Sequence, residues 1–368
     1  MSRPRIRVLV TAVGGDLGQA LVKSLRVGEV QFEIWGCDVD PSGVGAAFVS
    51  SYQAVPLASD AAYVAAIDAI CKVHRIEAVI PGSEAEIFAL ARQPGLRLPS
   101  GAVVVCQPHE WLQTYGDKLL CMRALQHHLD LAAFADGADP ADLKRLTDSV
   151  GFPLVVKPRR SSGSRAIFLV HTADELTGCV AEHPDSVVQQ FIDDREGEFS
   201  VGVFACDAFT EVLAFRRELN SVSCSWFAET SRDQAVSEYA LRFAQKSKLR
   251  GSANIQVRKH AGVVQLLEVN PRFSSLVAAR ALCGFRDAEW SVRMALDSPL
   301  PARPGSYRQI RFRRFFDELV DLGDGYRAVT EWLPNHAKAT GVTGIDSARD
   351  LHTKVVNQPG ARSWVKSK

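Results

Sequence analysis

Val263-Val264-Gln265-Leu266-Leu267-Glu268-Val269-Asn270-Pro271-Arg272 is a mostly apolar run that ends in an acid, an amide, a proline and an arginine. It reads as a strand. Successive side chains on a strand point to opposite faces, so Glu268 and Asn270 share one face. Pro271 has no N–H to give a ladder, so pairing stops there. A carboxylate, an amide oxygen and a guanidinium are thereby presented together at a strand end. Carboxylate and amide oxygens suit a hard cation such as Mg²⁺. A guanidinium beside them suits phosphate or carboxylate.

Upstream, Ser252-Ala253-Asn254-Ile255-Gln256-Val257-Arg258 is followed by Lys259-His260-Ala261-Gly262 as a turn. The two runs read as a β-hairpin. In an even register Gln256 joins Glu268 and Asn270 on one face. Spacing alone leaves a second reading open, a strand edge with solvated polar ends.

A chain of 368 residues supports two or three domains with proper cores. Its 46% hydrophobic and 23% charged content is that of an ordinary soluble protein. A net charge of +1 gives no broad electrostatic basis for binding nucleic acid or membrane. No apolar run approaches spanning length, and the N-terminus lacks a signal-peptide core. The eight cysteines stand singly, which suits a reducing compartment better than a disulfide or zinc framework. A cytoplasmic protein is expected, acting on small molecules, with a homodimer as the assembly to look for.

Near the N-terminus, Ile6 to Thr11 reads as a buried strand, then Gly14-Gly15-Asp16-Leu17-Gly18 and a helix, then a strand from Phe32 ending at Asp38. Strand, glycine turn, helix, strand and acid resemble a dinucleotide-binding fingerprint. Its first glycine is missing, because Ala12 sits near that place. A glycine-rich first turn is also needed in any doubly wound sheet. The helix Ala61 to His74, the strand Ala78 to Ile80 and the strand Val103 to Val105 continue the alternation, which means a parallel sheet. Ligands gather at the carboxyl ends of such strands, near Gly82 to Glu86. Glu84 and Glu86 also suit the acidic first turn of a helix, the reading preferred here.

Further on, Asp117-Lys118 opens a helix, and Asp139-Pro140 starts another that ends near Val150. Leu154-Val155-Val156-Lys157-Pro158 is a strand with a lysine at its end. Arg159 to Arg165 follows, with Ser161, Ser162, Gly163 and Ser164 at its centre. Hydroxyls, backbone N–H groups and positive charge in one loop cradle phosphates, although a plain basic turn has the same composition. Val187 to Ile192 is a strand running into Asp193 to Gly197, and Glu198 begins the next.

Taken in order, these motifs resemble one family. They are Asp117-Lys118, Val156-Lys157-Pro158 with its serine/glycine loop, Val188-Gln189-Gln190-Phe191-Ile192, Gly197-Glu198-Phe199-Ser200-Val201, Asn254-Ile255-Gln256 and Glu268-Val269-Asn270-Pro271-Arg272. Six motifs in one order are far more specific than any one alone. The chain is similar to ATP-grasp proteins of the carbamoyl-phosphate-synthase-like group over roughly residues 5–315. The fold implied is α/β: a Rossmann-like pre-ATP-grasp domain over 1–110 and a two-lobed α+β ATP-grasp domain over 111–300. Its lobes would cover about 111–185 and 186–300, with a C-terminal appendage over 301–368.

The activity implied is an ATP-dependent carboxylate–amine ligase, or one using a related nucleophile, that works through an acyl phosphate and releases ADP and phosphate. ATP and Mg²⁺, or Mn²⁺ in its place, are the cofactors implied. By the same resemblance Lys118 and Lys157 would meet the nucleotide phosphates, and Ser161, Ser162, Gly163 and Ser164 would close over them. Gln190, Phe191 and Ile192 would line the adenine edge, and Glu198 would hold the ribose. Gln256, Glu268 and Asn270 would hold the metal. Arg272 would stabilise the transferring phosphoryl group, sharing the catalytic role with Lys157. Gln190 and Gly202 depart from the family pattern, where a glutamate and an aspartate are usual. Two other classes stay open: an NAD-dependent oxidoreductase built on Gly14 to Gly18 and Asp38, and a nucleotide-binding regulatory protein without chemistry.

In the tail, Arg308, Arg311, Arg313 and Arg314 read as a strand with Ile310 and Phe312 between them; nucleic acid is one reading, and a positive rim near a phosphate site is the one preferred here. Phe315 to Leu322, Tyr326 to Leu333 and Ser347 to Val356 read as short helices.

Overall fold

A computed structural model describes residues 5–160, 166–220, 224–303, 306–315, 318–321 and 326–328. The chain divides into two compact units, Met1–Phe315 and Phe316–Lys368. The first begins with β1 (Ile6–Val10), α1 (Asp16–Arg26), β2 (Phe32–Asp38), β3 (Ser51–Ala54), α2 (Tyr63–His74), β4 (Ala78–Ile80), α3 (Glu84–Leu90) and β5 (Val103–Val104). These strands form a parallel five-stranded sheet in the order β3-β2-β1-β4-β5. Val8, Val10, Ala78 and Ile80 are fully buried on one face beneath Leu21 and Leu25 of α1. Leu9 and Val79 are buried on the other with Tyr63, Ile67 and Ile70 of α2. Near-continuous apolar strands are what a sheet covered on both faces requires.

Next come α4 (His109–Tyr115), α5 (Lys118–Leu125), β6 (Phe134–Asp136), α6 (Pro140–Val150), β7 (Leu154–Pro158), β8 (Phe168–Val170), α7 (Ala173–Glu182) and β9 (Ser186–Gln190). Strands β6-β9-β7-β8 form an antiparallel four-stranded sheet. Leu146 of α6 and Leu176 of α7 fill one face of it.

The larger antiparallel sheet uses β10 (Glu198–Ala205), β11 (Thr210–Leu219) and β12 (Ser225–Thr230). After α8 (Gln234–Lys246) it adds β13 (Gly251–His260) and β14 (Val263–Asn270). Beyond α9 (Val277–Cys283) and α10 (Asp287–Ala295), β15 (Arg311–Arg313) closes the far edge, giving the order β14-β13-β10-β11-β12-β15. Tyr239 and Phe243 of α8 pack on one face with Val201 and Ile255. Phe204, Phe215, Phe285 and Trp290 form an aromatic cluster on the other. Val277 and Val292, from α9 and α10, share the core of the five-stranded sheet, so these helices join the two regions.

The second unit contributes β16 (Leu319–Asp321) and β17 (Tyr326–Ala328), an antiparallel pair. This corrects the expectation of short helices over Phe315 to Leu322 and Tyr326 to Leu333. Short apolar runs do not separate helix from strand by periodicity. The helix expected over Ser347 to Val356 lies outside the described residues. Among the described residues, no helix is long and apolar enough to cross a membrane. All eight cysteines are free.

Candidate active site

The hairpin of β13 and β14 is tight. Its turn residues Ala261 and Gly262 both have positive φ, 49° and 77°, the geometry that matches strand twist in a two-residue turn. Gln256 lies directly opposite Glu268, and Asn254 opposite Asn270. The register is thus the even one, and four polar side chains form a quadrangle on one face. Beyond Gln256 the register shifts by one residue. Asn270 Nδ2 donates to Glu268 Oε1 at 3.1 Å. Across β10, Ser200 Oγ donates to Asn254 Oδ1 at 2.9 Å. Asn254 Nδ2 is buried with no hydrogen-bond partner. A buried orphan donor carries a desolvation cost, and an incoming oxygen would relieve it.

These residues line a cavity of about 310 Å³ shared with Asp16 and Glu84, the first residues of α1 and α3, and with Arg272. Arg272 Nε lies 4.0 Å from Glu84 Oε2. Burial pushes the Glu84 carboxyl up, against the pull of Arg272 and Lys118. The acidic pair in α3 therefore divides. Glu86 serves the helix as expected: its Oε2 accepts from Ser83 N at 3.1 Å, closing a capping box, and from Thr11 Oγ1 at 2.7 Å. Glu84 also stands in the acidic first turn of α3, as expected, and in addition lines the cleft.

Lys118 and Lys157 are both buried. Asp117 caps α5, accepting from Leu119 N at 3.0 Å and Leu120 N at 3.1 Å. The same carboxylate takes Arg159 Nη2 at 2.8 Å, and Lys118 N donates to Arg159 O at 3.0 Å. This clasp ties the start of α5 to the end of β7, holding both lysines by their backbones. Burial drives the Lys157 ammonium down to about 8, with Glu268 pulling up and Lys118 pushing further down. Ser161, Ser162, Gly163 and Ser164 lie outside the described residues.

The residues expected at the adenine edge and the ribose already have partners within the protein. Gln190 N donates to Ala133 O, and Phe191 N to Pro153 O. The Ile192 carbonyl accepts from Arg258 Nη1. Both oxygens of Glu198 are bound: Oε1 by Arg217 at 2.7 Å and Oε2 by Arg258 at 2.8 Å. Burial raises the Glu198 carboxyl, but the two guanidiniums outweigh it and hold it below the usual range. Arg217 Nη2 also donates to Gln256 Oε1 at 2.6 Å.

Arg217 and Arg258 were not legible as site residues, whereas Gly82, Ser83 and Glu84 line the cavity at the strand end where ligands were expected. The one available signal was period two along β11, which places Arg217 on the face that Glu198 occupies. Gly202 has a local explanation. A Cβ there would stand 2.5 Å from Arg280 Cδ, so the missing side chain makes room for a buried arginine. Arg280 in turn pairs with Asp287 at 2.7 Å and donates to Ser274 Oγ at 2.7 Å. Asp38 Oδ2 accepts from Gly14 N at 2.8 Å, closing the glycine turn on itself.

Residues 182–315 match the family described as ATP-grasp in the biosynthetic pathway with Ter operon. A carbamoyl phosphate synthase large chain from Deinococcus radiodurans is 29% identical over 227 residues, covering 52% of this chain and 22% of that protein. The chain spans less than a quarter of the carbamoyl phosphate synthase large chains it matches. N5-carboxyaminoimidazole ribonucleotide synthetase from Thermus thermophilus superposes with a TM-score of 0.65 at 16% identity, over 83% of this chain and 82% of that one. An L-amino acid ligase from Bacillus licheniformis gives 0.61 at 18%, over 80% and 75%. The chain has the ATP-grasp fold, and its resemblance to the carbamoyl-phosphate-synthase-like members of that superfamily holds.

Proposed function

We propose that the protein is an ATP-dependent ligase that joins a carboxylate to an amine or related nucleophile through an acyl phosphate. The observation that carries the reading is the polar face of the β13–β14 hairpin, with Glu268 opposite Gln256 and Arg272 at its end, facing one cavity. A carboxylate is a poor electrophile because its leaving group is oxide, and phosphorylation supplies a better one. Lys118, Lys157 and Arg272 are the cations we assign to the triphosphate and to the charge that develops on transfer. Asn254 Nδ2, the orphan donor on the cavity floor, fits a phosphoryl or carboxylate oxygen. Glu268 and Asn270 fit a hard divalent ion such as Mg²⁺. When bound, that ion would supply charge neutralisation on the phosphates.

We assign residues 1–110 to the pre-ATP-grasp domain and 111–300 to the two nucleotide lobes, with Glu84 and Asp16 reaching the cleft from the first. Closure of the lobes would keep water from the acyl phosphate. The names of the ligases sharing the fold agree with this chemistry, and the oxidoreductase reading leaves the polar face of the β13–β14 hairpin and the buried Lys157 unexplained.

The test is a screen for ADP release against small carboxylates, each paired with amine acceptors. ADP and phosphate that require both substrates are expected. AMP as product, or binding of NADH in place of ATP, would overturn the proposal.

A further inference from the structure

The nucleotide reading above has a consequence for how many metal ions accompany the triphosphate. Phosphoryl-transfer sites neutralise it with one divalent ion or two. The donor set here is lopsided. At one end Glu268 and Asn270 bond to each other at 3.1 Å, and Glu268 forms no salt bridge within 4.0 Å among the described residues. Directly across the hairpin from Glu268, the Gln256 oxygen is already held by Arg217 at 2.6 Å. The same guanidinium grips Glu198 Oε1 through two nitrogens, at 2.9 and 2.7 Å. Arg258 takes the second Glu198 oxygen. The Arg217 side chain is only 8% exposed, so it is built into the sheet and is not a surface chain that happens to lean inward.

A guanidinium keeps its charge at every working pH and offers donors but no acceptor. An ion bound to Gln256 would meet that fixed charge across a single oxygen. Glu268, directly opposite and already paired with Asn270, is the one unneutralised carboxylate it could share among the described residues, because Glu198 is neutralised from both sides. Among the described residues, no group of three or more His, Cys, Asp or Glu stands ready to hold a metal, so this set depends on Glu268 for its charge.

We propose that Arg217 is the resident cation of this half of the site, so that the nucleotide binds with one divalent ion, held by Glu268 and Asn270. Gln256 then holds Arg217 in place and is not a metal ligand. This revises the role that the family resemblance implies for Gln256.

Mn²⁺ and the non-hydrolysable adenosine 5′-(β,γ-imido)triphosphate test it. Bound Mn²⁺ per bound nucleotide would be counted by equilibrium dialysis, with electron paramagnetic resonance reporting any exchange-coupled ion pair. One Mn²⁺ per nucleotide and no coupled pair are expected. Two ions, or a coupled-pair spectrum, would overturn the proposal and leave the nucleotide site standing. Failure to bind nucleotide with or without Mn²⁺ would remove the site itself and this inference with it. In Arg217→Met the freed Glu198 and Gln256 oxygens should admit a second Mn²⁺, while nucleotide affinity at low Mn²⁺ falls at least about tenfold. Arg217→Lys should keep one ion. An Arg217→Met protein that still binds one ion with native affinity would also overturn the proposal. If that variant does not fold, the native stoichiometry decides.

Discussion

Lys157 carries the site's most distinctive chemistry at the residue scale. Its ammonium is held near 8, below the ordinary lysine value of 10.5, chiefly because it is buried. A triphosphate would draw the proton back. Below about pH 8 the free protein is already charged there, and affinity should not depend on this group. Above that, binding must take up a proton, so ATP affinity should fall as pH rises, approaching about tenfold per unit. Calorimetry in buffers of different ionisation enthalpy would register the uptake, and a flat profile from pH 7 to 9.5 would remove Lys157 from the phosphate site. Lys157→Ala should weaken ATP binding by at least about tenfold and erase this pH dependence. Glu268 is the single carboxylate in the donor set. Glu268→Ala should lower ADP production by at least about a hundredfold and leave thermal denaturation close to native. Full turnover in that variant would dissolve the metal assignment.

At the scale of elements, the site depends on which strand face meets which loop. Gly202 of β10 lies against Arg280 of α9, whose guanidinium holds Ser274 two residues beyond Arg272. Gly202→Ala should therefore push Arg280 aside, cost about 1–3 kcal/mol of stability and displace the Arg272 loop. A native denaturation midpoint with native turnover would show that the contact has slack. The same geometry explains what could be read beforehand. Gln256, Glu268 and Asn270 were legible because they sit on one hairpin, where a period of two and a tight turn fix the face. Asp117 and Pro140 marked their helices through local capping chemistry, and both helices begin where expected. Arg217 stands on a strand separated from β13 by β10, and Glu84 comes from α3, beyond the five-stranded sheet. No local period connects residues that meet only through the tertiary fold. Over β16 and β17 the apolar runs are too short for period alone to tell helix from strand, and the turn signal Gly323-Asp324-Gly325 between them favours a strand pair.

At the scale of the molecule, a net charge of +1 conceals a segregated distribution. Lys118, Lys157, Arg217 and Arg258 are drawn together around Glu198 and Glu268, while Arg272 faces Glu84 across the cavity. Such a cluster suits a polyanion that is enclosed, and the starts of α1 and α3 line the same cavity through Asp16 and Glu84. An enclosed polyanion beside a carboxylate substrate can be attacked at two places, and the arrangement favours one of them. Arg272 and the Glu268–Asn270 pair lie together at the strand end. Cations gathered there suit charge that develops on a terminal phosphoryl group during transfer. Attack at that group gives an acyl phosphate and ADP, and attack at the inner phosphorus gives an acyl adenylate and pyrophosphate. In the first route one oxygen of the acid leaves with phosphate when the nucleophile arrives. A substrate acid labelled with ¹⁸O should then pass one label into inorganic phosphate, read by the isotope shift of its ³¹P resonance, with ADP as the nucleotide product. In the second route the label would appear in AMP. Label in AMP, or unlabelled phosphate beside ADP, would exclude the acyl-phosphate mechanism even in a protein with this fold.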